Sequence, residues 1–129
     1  MITNRAEFEL TNQHLVMPGD LNPNHTIFGG VLLAWLDVDA YLYSVSITSY
    51  TSMVTVGMDK VKFRSPAHAG EIVRIYCRVK KTGRSTITVE ARATVSSPNE
   101  DKSRVVIDCE ITYVAIDESG KPKSIFSQS

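Results

Sequence analysis

The sequence predicts an α+β fold in which one long central helix is wrapped by an antiparallel sheet of about five strands. Three observations predict it. Residues 27–47 form a single long apolar stretch; beyond residue 52 the apolar period falls to two and holds to residue 117; and the links between these runs are short and rich in turn formers. A sheet that is apolar on one face and polar on the other needs a cover, and the helix must supply it.

The elements follow in order. Residues 7–16 read as a weak strand, and residues 17–24, dense in Pro, Gly, Asn and Asp, as a loop. Thr26 is the expected N-cap of the helix over 27–47. Apolar side chains occupy nearly every face of its first half, as expected of a helix surrounded by protein. Residues 53–64 read as a strand and 65–70 as a turn. Residues 71–82 alternate, with Val73, Ile75, Cys77 and Val79 on one face and Arg74, Tyr76, Arg78 and Lys80 on the other. Residues 84–97 repeat the pattern with Ile87, Val89, Ala91, Ala93 and Val95 inward. A turn is expected over 96–101, then a last strand over 104–117 with Val105, Ile107, Cys109, Ile111 and Tyr113 inward. The tail from Glu118 is expected to lie on the surface or to fray.

Bulk properties narrow the function. At 129 residues the chain is expected to be one domain, residues 1–129, large enough for a core without staples. Its 14 basic residues balance its 14 acidic ones, so no net field favours nucleic acid or an anionic membrane. Cys77 and Cys109 share strand faces with Val and Ile, which reads as two buried apolar thiols in a reducing compartment. Asp37 and Asp39 would each cost about 2.5–3.5 kcal/mol near the centre of a membrane span, and no signal-peptide order opens the chain. The expected setting is the cytoplasm.

Asp37 is the first charge the helix meets, and an ionisable group in an apolar element is costly unless it is paired, hydrated or used. Asp39 follows two residues later, roughly 200° around the helix, so the two cannot form a dyad. Asp37 shares a face with Gly30, Leu33, Ala34 and Tyr41, and Asp39 with Trp35, Leu36, Leu42 and Tyr43. The sequence alone does not say which face meets a substrate. The expected role of Asp39 is a partly solvated structural acid. His14 and His68 are given no functional role, no residue spacing suggests a metal site, and there is no Gly-x-Ser-x-Gly elbow.

Particular residues sharpen this reading. Asn22, then Ile27-Phe28-Gly29-Gly30, Leu33, Trp35 and Asp37, resemble the loop, glycine pair and acid-bearing helix of the hotdog-fold acyl-CoA thioesterases. Val54 to Val56, running through Lys62-Phe63 and Pro66 to Gly70-Glu71, is similar to that family's second strand and turn, and Gly83-Arg84-Ser85-Thr86 to its coenzyme A turn. One position departs: where the family commonly carries glycine before Asn, Asp or Thr, this chain has His25 before Thr26.

The resemblance implies hydrolysis of acyl-CoA to free acid and CoA, and selects Asp37 as the acid. A carboxylate in apolar surroundings holds its proton to higher pH, which suits a general base near neutrality. Direct attack to form an anhydride is the other route. Gly29 and Gly30 open the helix, and their free N–H groups suit the oxyanion of acyl transfer. Gly30 and Asp37 are seven residues apart, about 10 Å of helix, so one thioester carbon cannot lie within about 3 Å of both. If both act on it, the glycine N–H comes from a second protomer whose helix runs antiparallel.

A homodimer is therefore the expected minimal unit, and the resemblance implies further assembly into tetramers or hexamers. Asn22, His25 and Thr26 would form the rim of the shared site. Lys81, Gly83, Arg84 and Ser85, with Lys80 beside them, would hold the nucleotide end of the substrate. Lys60, Lys62 and Arg64 are a second candidate patch. No metal or redox cofactor is expected, coenzyme A entering only as part of the substrate. Two alternatives stay open: a non-catalytic acyl-CoA-binding module on the same scaffold, and a dehydratase using His25.

Overall fold

Strict alternation in the last three strands sets the architecture, because each must turn its apolar row toward the same cover. The structure is a computed structural model and describes residues 7–96 and 102–126. Its strands are β1 (Glu9–Leu15), β2 (Met53–Phe63), β3 (Ile72–Thr82), β4 (Thr86–Ser96) and β5 (Arg104–Ala115), with one helix, α1 (Gly29–Thr48). They form one antiparallel sheet in the order β1-β3-β4-β5-β2, so β1 and β2 are its edges. The expected inward rows of β3 and β4 are buried at every position.

In β5 the register slips between Ala93 and Thr94 of β4, and Val106 rather than Val105 enters the core beside Ile107. Pairing rules then carry the alternation unchanged from Ile107 to Tyr113. The expected turn over 96–101 lies outside the described residues from 97 onward. Cys77 and Cys109 are buried free thiols, and burial pushes the first up to about 11 and the second to about 12.

Helix α1 begins two residues later than expected, and Thr26 is not its cap. Phe28 holds the N-cap position with extended backbone and no side-chain cap, while the Thr26 hydroxyl accepts a hydrogen bond from the Asn22 amide (2.9 Å). Ile27, buried, donates its N–H to Ala67 O (2.9 Å), which holds the chain in extended form one residue too long for Thr26 to cap. At the other end Ser49 adopts left-handed backbone (φ 58°) and closes the helix on Val45 O.

The helix is also not surrounded by its own chain. Leu32, Leu36, Ala40 and Tyr43 lie against the sheet, but Val38 (57% exposed) and Leu42 (55%) face outward. Edge strand β2 likewise exposes Val54 and Val56. By length and composition α1 is apolar enough to span a membrane, yet one side of it is packed along the sheet and carries a buried acid. The tail is surface-bound as far as it is described: Lys123 N donates to Ala115 O, and Ile125 N and Phe126 N both donate to Arg84 O.

Candidate active site

The two aspartates of α1 have opposite surroundings. Asp37 is half-buried, and its Oδ1 accepts hydrogen bonds from the Thr55 hydroxyl (2.9 Å) and the Tyr113 hydroxyl (3.1 Å). Tyr113 OH also points at the Asp37 backbone carbonyl (2.6 Å), so one proton is shared between two acceptors. Thr55 and Tyr113 are directly paired across β2 and β5, which places both hydroxyls under one carboxylate. Burial and the Asp37 charge both raise the Tyr113 phenol, so it stays a donor. Tyr41 packs edge-on against the Tyr113 ring (5.7 Å) and fixes its plane. Among the described residues nothing donates to Asp37 Oδ2. One oxygen is held and the other is open. The expectation of an acid set among apolar groups is corrected here: two hydroxyls secure it.

Asp39 also departs from expectation. It is buried (1% exposed) rather than partly solvated, with Oδ1 taking the Asn12 amide (3.0 Å) and Oδ2 against His14 Nε2 (2.6 Å). His14 stacks flat on Trp35 (4.3 Å between ring centres). The histidine that had no assigned role thus ties edge strand β1 to the helix. His68 likewise has a structural task. Its N–H and ring reach Glu71, which Arg104 grips with both carboxylate oxygens, closing the turn whose Ala67 carbonyl holds Ile27. These bonds outweigh the burial of Glu71 and hold its carboxyl below the usual range.

The glycine pair divides into two jobs. A Cβ on Gly29 would sit 3.0 Å from the Phe63 ring, so tight packing accounts for that residue. A Cβ on Gly30 would meet nothing within 4 Å. The first N–H groups turned into the helix are those of Val31 and Leu32, both to Phe28 O, which leaves the Gly30 N–H in front of them at the open helix start. Phe63 and Thr55 lie at opposite ends of β2. The glycines and the acid of one chain are therefore separated, as the helix spacing requires.

Asn22 organises the preceding loop. Its Oδ1 accepts from Asn24 N (2.8 Å) and Thr26 N (3.2 Å) while its amide donates to Thr26. His25 stands exposed at φ 64°, in the left-handed region. That is the physical reason glycine suits this position and a histidine is the costlier occupant.

At the β3–β4 turn a Cβ on Gly83 would lie 2.5 Å from the Thr86 hydroxyl, so a larger residue there would displace that side chain and its hydrogen bond to Gly83 N. Lys81 and Arg84 are exposed and Ser85 is half-buried. Thr86 pairs with Val114, next to Tyr113, so turn and acid share one end of the sheet. Lys80 leaves the expected patch: it binds Glu110 (2.5 Å), with Lys60 on the same carboxylate (3.4 Å). Arg64 binds Asp108 (2.5 Å), and with Lys60 also paired the second patch is largely neutralised.

Five antiparallel strands laid along one long helix make the hotdog fold, and an acid in mid-helix with an open glycine at the helix start is the arrangement that the resemblance to its thioesterases implies. The comparisons agree. Residues 24–102 match the model of the thioesterase superfamily. The chain is 30% identical over 126 residues to the acyl-CoA thioester hydrolase YciA of Salmonella typhimurium, covering 95% of this chain and 93% of that one. The crystal structure of a hexameric thioesterase from Yersinia pestis superposes with a TM-score of 0.86 at 33% identity, covering 95% and 99%. An acyl-CoA hydrolase from Staphylococcus aureus, solved with butyryl coenzyme A and coenzyme A, gives 0.81 at 30% identity, covering 88% and 69%. The chain belongs to the thioesterase superfamily, among its hotdog-fold acyl-CoA thioester hydrolases.

The sequence reading missed Thr55 and Tyr113. Tyr113 was legible only as an inward aromatic, yet a buried phenol needs a hydrogen-bond acceptor, and that need was the available signal.

Proposed function

We propose that this chain, acting as one hotdog domain, hydrolyses acyl-CoA to a free acid and CoA in the cytoplasm, at a site shared by two protomers. The supporting observation is the Asp37 carboxylate, held on one oxygen by Thr55 and Tyr113 and bare on the other, beside the uncovered apolar faces of α1 and β2.

Antiparallel pairing of two β2 edges would run the Thr55 end of one strand alongside the Phe63 end of the other. It would also satisfy the free backbone groups of edge strand β2. That geometry brings the acid of one chain toward the glycine end of the other. Water is deprotonated at Asp37 Oδ2 and adds to the thioester carbon, while the partner's Gly30 N–H takes the developing oxyanion. The tetrahedral adduct collapses with cleavage of the C–S bond, and the proton on Asp37 passes to the departing thiolate. Direct attack by Oδ2, followed by hydrolysis of the anhydride, gives the same products.

Asn22, Thr26 and His25 form the rim, the first two by holding the loop and His25 by facing the substrate. Lys81, Gly83, Arg84 and Ser85 meet the phosphates. Coenzyme A is part of the substrate, and no other cofactor takes part. Dimers associate further, into the hexamer named for the Yersinia relative.

The test is thiol release from a panel of acyl-CoAs. Turnover by the wild-type protein that falls at least a hundredfold in Asp37→Asn, with unchanged circular dichroism, supports the reading. Binding of acyl-CoA without thiol release would instead establish a sensor, and loss of water from a 3-hydroxyacyl-CoA with the thioester intact a dehydratase.

A further inference from the structure

After β5 the chain turns at Asp117, whose Oδ1 accepts from Ser119 N, Lys121 N and the Ser119 hydroxyl. It then runs back across the end of the sheet as a strap over residues 121–126. Two observations connect this strap to the β3–β4 turn. Ile125 N (3.1 Å) and Phe126 N (3.2 Å) both donate to Arg84 O, filling that carbonyl's acceptor capacity. Ala115 then joins the two segments directly: its N–H donates to Ser85 O (2.8 Å) and its C=O accepts from Lys123 N (2.8 Å).

Exposed hairpin turns are ordinarily mobile. Here the turn is clamped from outside by chain that has no core strand to build, and Ile125 and Phe126 pack against the core to anchor it. Lys123 is exposed; its ammonium lies 5.2 Å from the Tyr50 ring and attracts the Asp117 carboxylate, with which it and Glu118 line one depression, although no carboxylate of the described residues lies within ion-pair distance of it. The Tyr50 hydroxyl is in turn fixed on Ile116 O (2.5 Å). The strap thus delivers a cation, over a rigid aromatic face, to the end of the molecule where Lys81 and Arg84 are exposed.

We propose that the strap is a working part of the nucleotide subsite. It pre-orders the Arg84 turn, and it adds Lys123 as a cation for a phosphate of the coenzyme A nucleotide, so that the enzyme discriminates thioesters carrying that nucleotide from those lacking it. The inference rests on the thioesterase reading. Its physical basis is pre-organisation: a turn already ordered loses less entropy when it closes on a ligand, and a fixed ammonium adds a charge-assisted contact.

The experiment compares one acyl group presented on coenzyme A, on 3′-dephospho-coenzyme A and on N-acetylcysteamine. In Lys123→Glu, KM for the acyl-CoA rises about tenfold relative to KM for the cysteamine thioester, kcat ratios stay within twofold, and Lys123→Arg restores the preference. Phe126→Ser, which loosens the strap anchor without touching a charge, lowers the same preference in the same direction. An equal change on all three thioesters, or an unchanged ratio in Lys123→Glu, overturns the proposal. Titration of coenzyme A itself by calorimetry separates the two levels of the argument. If no thioester is turned over but Lys123→Glu weakens coenzyme A binding about tenfold, hydrolysis fails and the strap survives. If the wild-type protein binds no coenzyme A, the strap proposal fails with it.

Discussion

Asp37 and Asp39 stand two residues apart on one helix and have opposite surroundings. Asp39 points into the sheet, where Asn12 and His14 each engage one of its oxygens in a site almost closed to solvent. Asp37 points along the exposed side, where two hydroxyls fix one oxygen and leave the other uncommitted. A buried carboxylate with both oxygens satisfied is an anchor, while one with an open oxygen at an uncovered surface is available to a ligand. Hydrogen bonding and depth of burial separate the two together: Asp39 is satisfied and sealed, whereas Asp37 is half-buried with one oxygen uncommitted.

The comparison is sharpened most strongly by removing each charge in turn. Asp37→Asn is expected to lower kcat by about 10²–10⁴ while leaving the urea midpoint nearly unchanged. Asp39→Asn is expected to do the reverse. Turnover per folded molecule persists, but stability falls by about 3 kcal/mol because the His14 pair is broken in a buried site. A double-mutant cycle with His14→Ala would show a coupling energy well above that of a surface pair. If Asp39→Asn abolishes turnover in fully folded protein, the division of labour between the two acids is wrong.

A smaller effect separates the two glycines. Gly29→Ala places a methyl against Phe63 and should destabilise the chain, with Phe63→Leu as the compensating change. Gly30→Ala meets open space within the protomer, so the folded chain should tolerate it and gain up to about 1 kcal/mol of helix propensity. It should nonetheless lose activity and weaken the dimer. Retention of full activity in Gly30→Ala would remove that N–H surface from the mechanism. Tyr113→Phe tests the held oxygen: about a tenfold loss in kcat is expected, since Thr55 still donates to Asp37.

The smallest effect is on alkaline stability. Burial raises the Cys77 thiol from an ordinary 9.0 to about 11, so the native state keeps its proton after the unfolded chain has released it. This contribution is complete below pH 9 and declines as pH rises toward 11. Cys109, raised to about 12, extends the decline. Denaturant midpoints measured between pH 8 and 11 should fall, and less so in Cys77→Ala once its lower baseline is subtracted.

Much of this was legible beforehand. Period-two alternation carried β3, β4 and most of β5, since a one-sided sheet admits only one phase for its apolar row. The helix, the glycine pair and the turn around Gly83 were legible because their geometry is local. The start of α1 was misplaced because Thr26 is a good cap by residue type, whereas the extended hold on Ile27 comes from Ala67, distant in sequence. Lys80 and Lys60 read as free cations because their shared counter-charge, Glu110, lies on another strand.

By itself, then, the order of residues determined which segments are helix or strand, that Asp37 and Asp39 face apart, and that acid and glycines cannot meet within one chain. All three follow from bond geometry and the 3.6 and 2.0 residue periods. Only the tertiary structure decided which aspartate is sealed and which is open. That choice depends on Asn12 and His14 approaching from one side and Thr55 and Tyr113 from the other, partners 18 to 76 residues away. Long-range hydrogen bonds of this kind have no period, and chain folding alone brings them together.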